Sequence, residues 1–507
     1  MGLRDFTVYD LIKRNAVTFW DRQAWFEADD GRTLTFAQYK GDVDRLARGL
    51  QASGIKKGDR IGVLGKNSLE YFLLFGAAAA LGAIMLPINW RLSPDEVCFN
   101  LNDCEPKMLF VDGEFQGLIS DLKERLPSIE SYYNLRPDQG SFIELESLMD
   151  IQGDFNDVEV NTDDGFVIMH TAAVAGRPRG ALLSHANVLC ANMHFGYLFH
   201  LTPEDVHLNI LPLFHVGGLF LALTGFYAGA LNVNMGGFDA ERAAELIGER
   251  KVSLMICFSP MLSSIIEQGE KRGTDMGSLR AVAGLETPEI IEKYQDMTGG
   301  TFYSMYGQTE TSCVVSFGRY SDRPGSAGKP IPMADVRLVD DYDRSVPLGQ
   351  VGEITMRGPM VFKGYWNLPE ENEYTFREGW HHTGDLGRFD EDGFLWYAGR
   401  KPEKELIKPG GENVYPAEVE KVILRHPAVE VAVVFGVPDP KWKEGVKAVC
   451  RLKVGQDLEP RELIDFVGER IAGYKKPHYV EFVSDLPLLD DGSPDRARIK
   501  ESFGGGQ

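Results

Sequence analysis

The stretch GFVIMHTAAVAGRPRGALLSHANV, residues 165–188, contains an apolar segment, a loop of small residues and a second apolar segment in succession. A short strand, a small-residue loop and a helix in this order are the layout of a phosphate-binding loop. The middle of the loop, however, is Ala172, Ala173, Val174 and Ala175, which offer no hydroxyl and no glycine. The stretch therefore predicts an α/β unit, and it leaves open whether the loop binds phosphate or is only a turn.

Apolar segments and helical patterns alternate on both sides of this stretch. RIGVLG (60–65) and KMLFVDG (107–113) predict buried strands, and TFAQYKGDVDRLARGLQASG (35–54) has helical spacing and ends at a glycine. Further strands are predicted at HLNILPLFH (207–215), KVSLMICFSP (251–260) and LRAVAGLE (279–286). Strands that alternate with helices predict an α/β fold with largely parallel sheets.

The pattern changes in the last third of the chain. After about Gly349, segments such as GRFDEDGFLWYAGR predict an antiparallel β region. From about Glu403 a helix, two alternating strands and another helix predict a compact α+β segment. The predicted fold class is α/β, with a large N-terminal region of parallel-rich sheets and helices (residues 1–402) that includes an antiparallel β subdomain. A small, mobile α+β C-terminal domain (residues 403–507) is predicted to follow.

Composition limits the classes of partner and compartment. The chain has 507 residues and a formal net charge of −22, which argues against nucleic acid or an anionic membrane as the main partner. Six scattered cysteines without a C-x-x-C motif predict reduced thiols, no zinc site and a cytoplasmic protein. The apolar run YFLLFGAAAALGAIMLP (71–87) is short for a membrane span, so a buried helix followed by a strand is predicted there.

Four motifs downstream carry a family resemblance. They are YSMYGQTETS (303–312), WHHTGDLG (380–387), AGRKPEKELIKPGGENVYPAEVE (398–420) and YKKP (474–477). Singly each is weak, but in this order and at these distances they resemble the adenylate-forming superfamily over nearly the whole chain. That superfamily includes acyl-CoA synthetases, firefly-type luciferases and the adenylation domains of peptide synthetases.

The resemblance implies roles for residues of a nucleotide site. Tyr306 would stack on adenine, Thr309 would donate a hydrogen bond to the α-phosphate, and Glu310 would hold Mg²⁺ through a carboxylate oxygen. Asp385 would accept both ribose hydroxyls, and Arg400 would contact the ribose or a phosphate. The other nucleotide-site residues that the resemblance implies are Thr171, Gly284, Leu285, Glu286 and Gly307. The implied catalytic set is Thr309, Glu310, His215 and Arg400.

Structural interpretations of the same side chains stay open at this point. Tyr306 is also compatible with a core tyrosine, and Glu310 with an exposed acid at a helix start. Asp385, between Gly384 and Leu386, is also typical of a turn.

The resemblance also implies an acyl pocket and a tunnel for CoA. His215 would stand between the acyl pocket and the pantetheine tunnel, with Gly217 and Gly307 beside the acyl group; a structural loop histidine is the alternative. The pocket is expected to be mostly apolar. Gly410 and Gly411 would enter the tunnel, where a side chain would block pantetheine. The hinge on which the C-terminal domain rotates would lie at Glu405, after Lys404.

Two positions depart from the superfamily pattern. Its first loop reads roughly T-S-G-T-T-G-x-P-K-G, whereas this chain has alanines and a valine in the middle and Arg179 in place of the lysine. Its catalytic lysine, in a G-K-[IL]-x-R context, aligns with Ser493. Both departures affect the step that handles the triphosphate. Arg179, Lys475 or Lys500 would have to compensate for the missing lysine.

Three functions are therefore compatible with the sequence. The first is an acyl-CoA synthetase that joins a mainly apolar carboxylic acid to CoA through an acyl-adenylate. The second is an enzyme that only forms the CoA thioester from acyl-AMP made elsewhere, and the third is a ligand-binding protein on a decayed enzyme scaffold. The cofactors are ATP (or acyl-AMP), Mg²⁺ and CoA, and the partners are a small-molecule carboxylic acid and CoA. The identity of the acid and the oligomeric state stay open, with a homodimer as one alternative.

Overall fold

The computed structural model describes residues 5–137, 140–153, 155–174, 177–401, 406–412, 414–489 and 494–505. The contacts divide the chain into two compact units. The first consists of Met1–Trp90, Leu101–Met169 and Gly180–Gly399, and the second of Arg91–Asn100, His170–Arg179 and Arg400–Gln507. The predicted boundary between residues 402 and 403 lies outside the described residues, so that domain assignment stays a prediction.

Helices and strands alternate through most of the chain. The helices are α1 (Val8–Thr18), α2 (Phe36–Ala52), α3 (Leu69–Leu81), α4 (Pro94–Cys104), α5 (Gln116–Leu122), α6 (Glu146–Met149), α7 (His185–Leu198), α8 (Val216–Ala228), α9 (Ala240–Arg250), α10 (Met261–Arg272), α11 (Pro288–Thr298), α12 (Pro369–Thr375), α13 (Pro416–Ile423), α14 (Pro460–Gly468) and α15 (Arg496–Phe503). The strands are β1 (Gln23–Glu27), β2 (Thr33–Thr35), β3 (Arg60–Leu64), β4 (Ile84–Ile88), β5 (Met108–Val111), β6 (Ser131–Asn134), β7 (Gly165–Val174), β8 (Arg177–Ser184), β9 (Val206–Asn209), β10 (Leu231–Asn234), β11 (Leu254–Phe258), β12 (Ala281–Leu285), β13 (Thr301–Tyr306), β14 (Ser316–Arg319), β15 (Lys329–Pro330), β16 (Asp335–Val339), β17 (Gly352–Arg357), β18 (Gly364–Tyr365), β19 (His381–Phe389), β20 (Leu395–Arg400), β21 (Val429–Asp439), β22 (Lys443–Leu452) and β23 (Tyr479–Phe482).

Two parallel-rich sheets form most of the first unit. One has the strand order β15-β14-β13-β12-β11-β9-β10-β1-β2, with parallel pairing from β13 to β1 and antiparallel strands at both edges. The other has the order β18-β8-β7-β4-β3-β5-β6, in which β7, β4, β3, β5 and β6 are parallel. A third sheet, β16-β17-β19-β20, pairs β17 antiparallel with both neighbours. These sheets confirm the predicted α/β class and its antiparallel region.

The apolar run at residues 71–87 lies inside the first unit. Every residue of α3 is buried, and the helix begins at Ser68, whose side chain accepts a hydrogen bond from the Tyr71 N–H. It ends at Gly82 in the left-handed conformation, and β4 follows with all its residues buried. The prediction of a buried helix and strand is confirmed. Across the part of the chain that the structure describes, every helix is too short or too polar to cross a membrane.

Most of the small-residue segment at 171–180 belongs to two neighbouring strands of one sheet, the end of β7 and the start of β8. The prediction of a strand, a loop and then a helix is wrong in one respect, because β8 intervenes between the loop and α7. The apolar residues Ala181 and Leu183 are buried within this strand, and α7 begins only where Ser184 caps the Asn187 N–H. The loop centre at residues 175–176 lies outside the described residues.

The second unit has its own sheet and core. Strands β21 and β22 form a long antiparallel pair, and β23 pairs parallel with β22. Helices α13 and α14 bury Val419, Ile423, Leu463 and Val467 in one apolar cluster with residues of this sheet. This arrangement is the α+β segment that the sequence predicts; its mobility stays a prediction.

Candidate active site

The site in the first unit is built at the carboxyl ends of two neighbouring parallel strands. Strand β12 ends at Leu285 and β13 ends at Tyr306, with Gly284 paired to Ser304. A Cβ atom on Gly284, at φ 140°, would lie 1.9 Å from the Cys257 carbonyl oxygen, so only glycine fits there. Parallel strands place ligand sites at such ends. Gly284, Leu285 and Tyr306 therefore leave the sheet along the same edge.

Asp385 and Tyr306 lie together, although 79 positions separate them in sequence. The Tyr306 hydroxyl donates a 2.8 Å hydrogen bond to Asp385 Oδ2, and Gln308 Nε2 donates to the same oxygen. Asp385 is 1% exposed and Tyr306 8% exposed. Both of these donors are neutral side chains, and their hydrogen bonds orient the carboxylate. Gln308 was missed by the sequence analysis, although it lies inside a quoted motif.

Glu353 supports the turn that carries Asp385. Its Oε1 accepts a 2.9 Å hydrogen bond from the Gly384 N–H, and its Oε2 lies 3.3 Å from both Arg377 Nη2 and His382 Nδ1. Glu353 is 3% exposed, so this charge is buried and paired. Glu353 therefore holds the backbone next to Asp385. The sequence indicated no role for it, because its partners are 24 to 31 positions away.

Glu310 lies one turn beyond Tyr306. Thr309–Thr311 form a short 3-10 helix, and Glu310 is 7% exposed. The Tyr365 hydroxyl donates a 2.7 Å hydrogen bond to Glu310 Oε1. Among the described residues, no side chain or backbone group donates to Oε2. A carboxylate with one oxygen held by a neutral donor fits a hard cation such as Mg²⁺.

Gly307 follows Tyr306 directly, and close packing requires glycine there. A Cβ atom on Gly307 would lie 2.0 Å from the Cys313 carbonyl oxygen. Glu286 follows β12, and its Oε1 accepts a hydrogen bond from the Thr287 N–H at 3.1 Å. Both residues lie beside the strand ends where the sequence places the nucleotide.

The predicted acyl-pocket residues fall in two places. His215 is the exposed N-cap residue of α8, with its ring centroid 4.5 Å from that of Phe214. Gly217 lies in the first turn of α8, beside a narrow gap that has no room for a water molecule. His215 and Gly217 therefore lie at the start of one helix and Gly307 follows β13, and their roles toward an acyl group stay predictions.

The remaining predicted nucleotide residues belong to the second unit. Arg400 Nη1 lies 3.5 Å from the Tyr415 hydroxyl, which accepts its hydrogen bond. The Thr171 hydroxyl donates to the Arg179 carbonyl oxygen at 3.3 Å. The roles of Thr171 and Arg400 toward a nucleotide stay predictions.

The glycines predicted to enter the CoA tunnel form a tight turn. Pro409–Gly411 are a short 3-10 helix in which Gly410 has φ 58°. A Cβ atom on Gly410 would lie 2.9 Å from a ring carbon of Trp442, and the Gly410 N–H donates to the Trp442 carbonyl oxygen at 3.3 Å. Glycine is therefore required at 410 for both conformation and space. The predicted hinge at Lys404 and Glu405, and Ser493 in the lysine position, lie outside the described residues.

Lys475 is engaged in a buried ion cluster of the second unit. Its ammonium donates to Oε1 of Glu96 and to Oε1 of Glu418, and Lys475 is 2% exposed. Burial raises the pKa of Glu418 to about 7 although Lys475 opposes the rise, and the nearby Glu96 carboxylate adds to it. Burial also opposes ionisation of Glu96, yet Lys475 and hydrogen bonds from Ser93 hold its pKa below the usual range. In this arrangement two carboxylates bind the Lys475 ammonium, and its compensation for the catalytic lysine stays a prediction.

Comparison with known proteins identifies the family. The family model described as AMP-binding enzyme matches residues 12–366, and the model described as AMP-binding enzyme C-terminal domain matches residues 418–492. The chain is 35% identical to an indoleacetate–CoA ligase of Aromatoleum aromaticum over 464 residues, which cover 90% of each chain. It is 33% identical to a feruloyl-CoA synthase of Amycolatopsis sp over 481 residues, or 94% of this chain and 95% of the relative. A solved o-succinylbenzoate CoA synthetase of Bacillus subtilis superposes with a TM-score of 0.85 at 28% identity, over 97% of this chain and 98% of that one.

Proposed function

This chain belongs to the family of AMP-binding enzymes and is an AMP-forming acyl-CoA ligase, and on that premise we propose that its substrate is a mainly apolar, aromatic carboxylic acid. The observation that carries the nucleotide part of the proposal is the buried Asp385 carboxylate, which Tyr306 and Gln308 orient at the strand ends near Glu310. A buried carboxylate oriented by hydrogen bonds suits the paired hydroxyls of a ribose.

The residues of the first unit have distinct roles in the two half-reactions of the ligase. A carboxylate oxygen of the acid attacks the α-phosphorus of ATP, and pyrophosphate leaves. Tyr306 offers its aromatic face to adenine, Asp385 accepts the ribose hydroxyls, and Thr309 donates to the α-phosphate. Glu310 would hold Mg²⁺, which neutralises phosphate charge when bound. The thiolate of CoA then attacks the acyl carbonyl, and AMP leaves.

The relatives support an aromatic, mostly apolar acid. Those named above act on indoleacetate and on feruloyl substrates, according to their names. Both acids carry a flat aromatic ring, whose burial against apolar side chains is favourable.

The phosphate loop favours a second candidate function. The loop lacks hydroxyls in its middle, and Lys475 is bound by Glu96 and Glu418. An enzyme with these features would be slow to form acyl-AMP and would still make the thioester from acyl-AMP supplied to it. Arg179 and Lys500 stay as candidates for the missing positive charge.

Separate assays of the half-reactions test both functions. Acid-dependent exchange of labelled pyrophosphate into ATP would be measured with a panel of aromatic and aliphatic acids. CoA-thioester formation from synthetic acyl-AMP would be measured in parallel. We expect both activities with aromatic acids. Thioester formation without exchange across the panel would select the second function, and absence of both would overturn the proposal.

A further inference from the structure

Glu310 is held at two points by one short segment of the chain, residues 362–365. The Phe362 N–H donates to the Glu310 carbonyl oxygen at 2.9 Å, and the Tyr365 hydroxyl donates to Glu310 Oε1 at 2.7 Å. One residue of this segment therefore fixes the backbone of Glu310, and another fixes its side chain. Tyr365 lies 55 positions from Glu310, so the contact exists only in the folded chain.

The backbone of Tyr365 is fixed in turn. Asn372, in α12, accepts from the Tyr365 N–H at 2.6 Å through Oδ1 and donates to the Tyr365 carbonyl oxygen at 2.9 Å through Nδ2. Strand β18 also pairs antiparallel with β8, where Tyr365 lies opposite Ala181. The Tyr365 ring is buried and contacts Phe362 edge to face, with the ring centroids 4.8 Å apart. The hydroxyl therefore reaches Glu310 from a fixed position.

The acceptor of the Tyr365 hydroxyl differs from that of two other buried tyrosines of the first unit. The hydroxyls of Tyr39 and Tyr294 each donate to a carbonyl oxygen of the main chain, and joining two elements explains both bonds. Tyr365 donates instead to a buried carboxylate. Within the described part of the chain, no basic side chain pairs with Glu310. A cation bound at Glu310 would supply the compensation that a buried carboxylate requires.

Carboxylates that bind metal ions depend on the groups that hydrogen-bond to them, because these groups fix the direction of the coordinating oxygen. We propose that Tyr365 is a positioning residue, which holds the Glu310 carboxylate in the orientation that binds Mg²⁺ together with the nucleotide phosphates. Asn372 acts one step further out, since it fixes the backbone of Tyr365. This inference rests on the proposed function, because it takes Glu310 as the acid that holds Mg²⁺.

Binding of α,β-methylene-ATP, which cannot be cleaved at the reacting bond, tests the inference without turnover. Titration calorimetry gives the dissociation constant in EDTA and in Mg²⁺, and the first divided by the second is the metal-dependent gain. Tyr365→Phe keeps the ring and removes only the hydroxyl, and we expect it to reduce the gain by about 10-fold. The affinity for AMP in EDTA should stay at the wild-type value. An unchanged gain in Tyr365→Phe would overturn the inference.

A double variant separates positioning from packing. Glu310→Gln weakens metal binding directly, so adding Tyr365→Phe to it should reduce the gain no further. A further loss of similar size in the double variant would show that Tyr365 does not act through Glu310, and it would contradict the inference. Loss of AMP affinity in Tyr365→Phe would make Tyr365 a packing residue, with the same consequence.

Two single variants complete the comparison. Tyr374→Phe is the matched control, because Tyr374 is an exposed tyrosine of α12, and both the gain and the AMP affinity should stay at the wild-type values. Asn372→Ala removes both side-chain bonds to the Tyr365 backbone and should reduce the gain by less than Tyr365→Phe does. If Tyr365→Phe does not fold, Asn372→Ala decides by the same two measurements, and an unchanged gain there contradicts the inference.

The outcomes also distinguish the role of Tyr365 from the proposed function. A wild-type enzyme that binds AMP and forms the thioester, but shows no metal-dependent gain, removes the role of Tyr365 and leaves the ligase function intact. Failure to bind AMP and to form any thioester overturns the proposed function, and the inference falls with it.

Discussion

The Asp385 site of the first unit and the Lys475 cluster of the second both bury carboxylates, but they stabilise them differently. Asp385 accepts from two neutral donors, Tyr306 and Gln308. Glu96 and Glu418 instead share the ammonium of Lys475. Neutral donors orient a carboxylate through hydrogen bonds, whereas a buried lysine compensates its charge inside the protein. Hydrogen bonding and charge compensation are thus two different means of holding a buried carboxylate.

The largest expected effect is in the ion cluster. Lys475→Met would leave Glu96 and Glu418 buried without a counter-charge, and we expect the local free energy of unfolding to fall by about 3–5 kcal/mol. Hydrogen exchange of the β21 and β22 amides, followed by mass spectrometry, measures this loss.

The matched control replaces the whole cluster. In the triple variant Glu96→Gln, Glu418→Gln, Lys475→Met no uncompensated charge remains, so the loss should be clearly smaller than in Lys475→Met alone. Wild-type protection in Lys475→Met would show that the cluster contributes nothing to folding.

The second effect concerns binding rather than folding. Asp385→Ala should weaken AMP affinity by about 1.5–3 kcal/mol, the usual range for hydrogen bonds to a charged group. Titration calorimetry with AMP measures the loss. Protection of the β21 and β22 amides should stay at the wild-type level, since Asp385 lies in the other unit. Unchanged AMP affinity in a folded variant would make Asp385 a structural residue and remove the contrast between the two sites.

The smallest expected effect is a decrease of the free energy of unfolding as the pH rises. The pKa of Glu418 is raised from 4.5 to about 7 in the folded protein. Between these values the folded state keeps a proton that the unfolded state has lost, so the free energy of unfolding falls as pH rises from about 4.5 to about 7.

Glu418→Gln should remove this part of the slope. Burial also raises the pKa of Glu27, in the first unit, to about 7, so Glu27 adds to the slope of both proteins. The free energy of unfolding in urea is therefore measured across that pH range for wild type and variant, and the two slopes are compared. Identical slopes would mean that Glu418 does not titrate in this window.

Local patterns predicted the architecture well because they reflect interactions between near neighbours. The alternation of apolar segments and helical spacing predicts α2, α3, β3 and β5 within a few residues. The one clear error, the missing strand β8, arose because an apolar segment after a loop is compatible with a strand or a helix start. Its pairing with β18, nearly two hundred positions away, decides for the strand.

The candidate site could be predicted only in part. Motif residues such as Tyr306 and Asp385 stand out in the sequence, and the structure brings this pair together. Glu353 and Tyr365 do not stand out, since each acts through a contact with a residue distant in sequence. No local pattern marks such a residue, because a glutamate or tyrosine in a buried strand is only an exception to the apolar pattern around it.

The amino-acid order was sufficient for the α/β class, the family and the residue types that could meet a nucleotide, because periodicity and motif spacing are local properties of the chain. Two other features emerge only from the folded chain. Lys475 is bound to Glu96, 379 positions away, and Tyr306 donates to Asp385, 79 positions away. Charge compensation and hydrogen-bond direction depend on which atoms meet in space, and these meetings arise only when distant segments pack together.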